Sequence, residues 1–120
     1  MPGRLNIFQR TMLLWNDLHP YNAVHVVRVL APLDLPRLGE VVNRTMQKQG
    51  LGTVTLDPRR GTYRYEDGGA NYEIRRIEVG ENPHAGLASE TERQLNTGFG
   101  QDQRFSPFRF FVATEPGSFF

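Results

Sequence analysis

The chain has no cysteine among its 120 residues. That excludes a disulfide framework, a thiolate zinc site and a cysteine nucleophile. Charge of either sign is barely in excess: 14 Lys and Arg stand against 13 Asp and Glu, a formal net charge of +1. This near-neutrality removes the basic footprint of a nucleic-acid binder. No apolar run approaches the roughly 20 residues that cross a bilayer as a helix, so no membrane span is expected. Met1-Pro2-Gly3-Arg4 leads into a mixed amphipathic stretch and lacks the apolar core of a signal peptide. A soluble, cytoplasmic protein is expected, with residues 1–120 as one unit, because neither a repeat nor a dividing linker interrupts the chain.

Catalytic signatures are equally scarce. None of the three histidines, His19, His25 and His84, has a second one at ligand spacing, so no metal site is expected. A Walker loop and a Gly-x-Gly-x-x-Gly turn are both missing. The pairs Arg59-Arg60 and Arg75-Arg76 lie among Tyr63, Tyr65 and Tyr72, an interleaving that resembles an RNA-stacking sheet. Asp57, Glu66, Asp67, Glu73 and Glu78 cancel that field, which favours a solvated sheet face.

What the chain does have is alternating helical and strand periodicity. Asn6 to Leu18 reads as a helix with Phe8, Met12 and Trp15 on one face, widened by Ile7, Leu14 and Leu18, and so expected to be well covered. Asn6 and Gln9 have capping-box spacing. Tyr21 to Ala31, rich in valine on both faces, predicts an inner strand that buries His25. Asp34 to Gln49 predicts a helix capped by Asp34 onto the Arg37 N–H, with Leu35, Leu38, Val42, Thr45 and Met46 inward and Gly50 as its left-handed stop. Three short β-prone runs follow, 53–57, 62–66 and 72–79, with turns at 57–61 and 67–69. Asn82-Pro83 opens a third helix to about Leu95, with a thin stripe of Leu87, Ala88, Thr91 and Leu95. A final strand, 107–114, precedes a turn at 115–118 and then Phe119 and Phe120. The sum is an α+β fold with a mixed, mainly antiparallel sheet and about three helices. The break inside a nascent hairpin reads as truncation of a larger domain.

Four stretches carry a family resemblance. Leu5-Asn6-Ile7-Phe8-Gln9-Arg10 running on to Trp15 is similar to the opening helix of condensation-type acyltransferases. Tyr21-Asn22 before the valine run, followed by Ala31-Pro32-Leu33-Asp34, resembles their strand–"Gly-Pro-Leu-Asp"–helix passage. Leu95-Asn96-Thr97-Gly98-Phe99 resembles their "Asn-x-Pro-Phe-Asp" region, and Pro107-Phe108-Arg109 the start of the strand before the catalytic loop. The superfamily includes nonribosomal peptide synthetase condensation domains, wax-ester and alcohol acyltransferases and chloramphenicol acetyltransferase. The chain departs from the family at Arg44 to Thr53, where Arg-His-Glu-x-Leu-Arg-Thr is usual, and at Gly98 and Gly100.

The resemblance implies the N-terminal subdomain of the chloramphenicol-acetyltransferase-like fold, serving as scaffold and one wall of a substrate channel. It implies an acyl donor that is a thioester of coenzyme A or phosphopantetheine, an amine or hydroxyl acceptor, and a C-terminal half-domain or carrier protein as partner. The family's His-His-x-x-x-Asp-Gly motif is absent, so no catalytic residue and no bound cofactor are expected here. Tyr21 and His25 are the channel-wall candidates. The other reading from the residues is a non-catalytic interaction or oligomerisation module that uses Phe108, Phe110, Phe119 and Phe120 as its interface.

Overall fold

The computed structural model describes residues 2–66, 71–100, 104–113 and 118–119. Along the chain lie β1 (Pro2–Arg4), α1 (Ile7–Leu18), β2 (Arg28–Val29), α2 (Leu35–Lys48), β3 (Val54–Asp57) and β4 (Thr62–Tyr65). They are followed by β5 (Ile74–Ile77), α3 (Pro83–Asn96), β6 (Phe110–Ala113) and β7 (Ser118–Phe119). The fold is α+β. One sheet has the order β1-β4-β3, all antiparallel; the other, β2-β7-β6-β5, is antiparallel except for the β5–β6 pair. Val54 and Phe105 exchange backbone hydrogen bonds of 2.8 and 3.0 Å, which tie the first sheet to the segment leading into β6.

The helix boundaries follow local chemistry. Asn6 and Gln9 form the full reciprocal capping box at 2.8 and 2.9 Å. Asp34 accepts from the Arg37 N–H at 3.1 Å, as it must with proline at position 36. Gly50, with φ of +68°, ends α2 in the left-handed region. Asn82 caps α3 through the Ala85 N–H at 3.1 Å, and Pro83 sits in the first turn. His19 caps the C-terminal end of α1.

The helix faces differ from the expected ones. On α1, Met12, Leu13 and Asn16 turn inward, while Ile7, Phe8, Leu14, Trp15 and Leu18 stay exposed. The period is helical, but the packed side is set by Met12, Leu13 and Asn16 rather than by Phe8 and Trp15. On α2, Leu35, Leu38, Val42 and Met46 are half-buried as expected, and Thr45 is exposed. On α3 the buried residues are Glu90 and Gln94, with Leu87 and Thr91 half-buried and Ala88 and Leu95 exposed. The segment 21–31 is not an inner strand. Only Arg28–Val29 pairs, at the sheet edge against two-residue β7, and His25, Val26, Val27 and Leu30 are exposed for want of a second neighbouring strand. The turns expected at 67–69 and 115–118 lie outside the described residues, apart from Ser118 in β7, as does Phe120. β1, which had no sequence signal, adds an edge strand to β4.

The core is small and centres on the β5–β6 pair. Ile77, Val79, Phe111 and Ala113 form a buried cluster onto which Val24 and Leu87 pack. Tyr72 fastens this sheet to α2: its N–H donates to Asn43 Oδ1 at 2.6 Å, and Asn43 Nδ2 returns a bond to the Tyr72 carbonyl at 2.9 Å. Its hydroxyl donates to the Leu51 carbonyl at 3.1 Å, and burial raises its pKa above the ordinary value. At Gly86, α3 approaches the end of β5 so closely that a Cβ would fall 2.7 Å from the Val79 backbone.

Glu90 fixes α3 to β5 by charge. Its carboxylate accepts a fork from Arg93, at 3.1 Å from Nε and 2.8 Å from Nη2, and 2.7 Å from Gln94 Nε2; Arg75 of β5 completes the set. The hydrogen bonds from Arg93, aided by Gln94 and Arg75, outweigh the burial that opposes them and hold the carboxyl at about 2. Because the folded-state value lies below the ordinary one, this contribution is complete above about pH 4.5 and is lost as pH falls toward 2. The stabilisation is on the order of 2 kcal/mol after solvent screening at the half-exposed guanidinium groups. Glu90→Gln should therefore unfold at lower urea concentration at neutral pH, and its stability should fall less steeply than wild type between pH 4.5 and 2. Parallel curves for the two proteins across that window would contradict this account.

Candidate functional site

A helix leaves its last carbonyls without intrahelical partners, and at α3 these are met by two side chains from elsewhere in the chain. Asn22 Nδ2 donates to the Gln94 carbonyl at 2.8 Å and to the Thr97 carbonyl at 2.6 Å. Arg109 Nη2 donates to the same two carbonyls at 3.2 and 2.6 Å, and its Nη1 reaches the Gly98 carbonyl at 3.3 Å. The guanidinium carbon lies 4.2 Å from the centroid of the Phe99 ring, a cation–π contact. Burial, together with the nearby positive charge of Arg93, lowers the Arg109 pKa from its usual value. The segment after α1 and the segment before β6 are thus anchored to one helix end, where a cation also suits the helix dipole.

These anchored segments border a cleft of about 730 Å³. Tyr21, Asn22 and His25 line it from the first segment, Phe105, Phe108 and Phe110 from the second, and Tyr63 and Tyr65 from β4. Its volume lies within the range of small-molecule sites, and its lining is mostly aromatic and aliphatic with a few polar groups. Tyr63 and Tyr65 meet edge-on at 6.0 Å, and burial raises the Tyr65 pKa, with Tyr63 adding to the rise. Phe99 and Phe105 are tilted at 6.2 Å.

Both channel-wall candidates, Tyr21 and His25, therefore lie on this cleft, exposed rather than buried. Tyr21 is held in place by its N–H, which donates to Asn16 Oδ1 at 3.0 Å. Of the interface candidates, Phe108 and Phe110 stand edge-on to Tyr72 at 6.2 and 5.5 Å and also line the cleft. Phe119 is in β7, its backbone paired with Arg28 and Ala113, and Phe120 lies outside the described residues. Sequence reading gave no role to Asn22 or Arg109. Their signal was a lone amide ahead of a valine run and a lone cation inside a phenylalanine run.

A second, more open depression of about 550 Å³ lies over the β1-β4-β3 sheet. Its rim mixes Arg4 and Arg64 with Asp57 and Glu66, so it offers no field of one sign. Among the described residues no group of three or more His, Cys, Asp or Glu is arranged to hold a metal ion. No described helix is long and apolar enough to cross a membrane. A scan against protein-family models and searches against curated proteins and solved structures returned no match.

If Asn22 and Arg109 serve the same carbonyls, their removal should not add. Arg109→Ala and Asn22→Ala should each cost about 1 kcal/mol, because the other side chain still donates to the Gln94 and Thr97 carbonyls. The double variant should exceed the sum in urea unfolding, because only then do both shared carbonyls lose their side-chain donors. Strict additivity would show that the two side chains act independently.

Proposed function

We propose that this chain is the N-terminal scaffold and channel-wall portion of a condensation-type acyltransferase, which moves an acyl group from a coenzyme A or carrier-protein thioester to an amine or hydroxyl. The observation that carries this reading is the aromatic cleft, bordered by two of the stretches that resemble the family: Tyr21 to His25 and Pro107 to Arg109. The rings of Phe105, Phe108 and Phe110 offer an apolar wall to an acyl group. Tyr21 and His25 offer hydrogen bonds to its polar end.

Coenzyme A or phosphopantetheine enters as substrate. A complementary half-domain would close the channel, and a carrier protein is the other partner in this reading. The chain contains no His-His-x-x-x-Asp-Gly. General-base assistance of the kind that motif supplies accounts for about 10²–10⁴-fold in rate, so the chain assayed alone should be close to inert.

The test is to extend the chain with whatever its source gene encodes after Phe120 and to assay acyl transfer from an acyl-coenzyme A to amine and hydroxyl acceptors. Activity should appear on extension. It should fall by about 10²-fold or more when the second histidine of the added motif becomes alanine, while Tyr21→Ala should act mainly on KM. A stop codon directly after Phe120, or activity that survives loss of that histidine, would overturn the reading.

A further inference from the structure

The outer face of α1 is apolar and uncovered. Ile7 is 84% exposed, Leu14 67% and Leu18 88%, flanked by Phe8 at 68% and Trp15 at 60%. This is a larger uncovered apolar surface than scattered surface hydrophobes produce. The side of α1 toward the cleft, with Gln9, is a different one.

The spacing on this face is specific. Ile7, Thr11, Leu14 and Leu18 succeed one another by steps of four, three and four residues, the stagger of a two-helix seam. Thr11, the one polar residue in the seam, donates its hydroxyl to the Ile7 carbonyl at 2.9 Å. Its polar atom is thereby satisfied within the helix, so burying it leaves no orphaned donor. The seam is bordered on one side by Phe8 and Trp15 and on the other by Arg10 and Asp17, all exposed.

That border is complementary to itself in one orientation. In an antiparallel pair, Ile7 lies opposite Leu18 of a second copy and Thr11 opposite its Leu14. Arg10 then comes within two residues of axial rise, roughly 3 Å, of the other copy's Asp17, and the two-fold axis repeats the pair. On the other border Phe8 approaches Trp15 of the second copy. A parallel pair would instead set the Arg10 and Asp17 border beside Phe8 and Trp15 of the second copy, leaving both charges without an opposite partner. Doubled by symmetry, the five exposed apolar side chains approach the roughly 1,000 Å² that separates specific interfaces from chance contacts.

We propose that α1 is a homodimerisation helix, pairing antiparallel with α1 of a second copy along Ile7, Thr11, Leu14 and Leu18. The pairing involves neither the cleft nor the phenylalanine-rich strand, and it stands whether or not the chain belongs to an acyltransferase.

Light scattering across a concentration series should show the mass rising from 13.7 kDa toward twice that value. Leu14→Lys should hold it at the monomer mass with an unchanged circular dichroism spectrum. Arg10→Asp should weaken association about tenfold, and Arg10→Asp with Asp17→Arg should restore it, as expected for a reversed pair of charges. The absence of native cysteine permits a direct test of orientation. A mixture of Thr11→Cys and Leu14→Cys chains should form a mixed disulfide faster than either forms a disulfide with itself. A monomer at millimolar concentration, faster self-disulfides, or a dimer indifferent to Leu14→Lys would each overturn the proposal. So would recruitment of α1 to neutral phosphatidylcholine vesicles with no self-association in solution, which would assign the face to lipid.

Discussion

Everything around the cleft depends on how α3 ends. The carbonyls of Gln94 and Thr97 point out of the last turn, and water is replaced there by the amide of Asn22 and the guanidinium of Arg109. Asn22 and Arg109, 87 residues apart in the chain, therefore converge on one helix terminus. The short segment carrying Tyr21 and His25 has little strand pairing of its own, so this anchor and the packing of Val24 on the core hold it. The rest of α3 is fixed by different physics, a multiply hydrogen-bonded carboxylate at mid-helix Glu90 and a bare backbone approach near the start at Gly86. Polar bonds thus do much of the work that a larger apolar core would do in a bigger domain.

The local signals in the sequence were reliable where a single residue type dictates geometry. Asn6 with Gln9, Asp34 ahead of a proline, Gly50 and Asn82-Pro83 each produce the cap or stop their chemistry demands. The α+β class follows from those boundaries together with the β-prone runs between them. Faces were less legible. A helix rich in Ile, Leu, Phe and Trp has more apolar surface than one neighbour can cover, so periodicity identifies α1 as a helix without choosing which side is packed. In α3 the buried positions are Glu90 and Gln94, which hydrophobic patterning assigns to solvent. The valine run at 21–31 fails as an inner strand because burial of a strand requires neighbours on both edges, a property of topology rather than of valine.

The candidate site divides in the same way. Tyr21 and His25 are wall candidates by their position on the expected strand; that strand does not form at 21–25, yet both residues border the cleft. Phe108 and Phe110 were singled out for their number and location, and the structure turns them toward Tyr72 as well as the cleft. Asn22 and Arg109 act on backbone carbonyls distant in the chain, and long-range partnerships of this kind leave no periodic trace.

Gly86 bears on how freely this chain can change over time. Because the contact with Val79 is made by backbone on both sides, the separation of α3 from the sheet does not depend on the size of any side chain at the crossing. Neighbouring positions on the helix can exchange residues with little consequence for where its axis runs, provided position 86 keeps no Cβ. Wide divergence in side chains and a preserved helix placement are therefore compatible, and the tolerance of the whole helix is concentrated in the intolerance of one position.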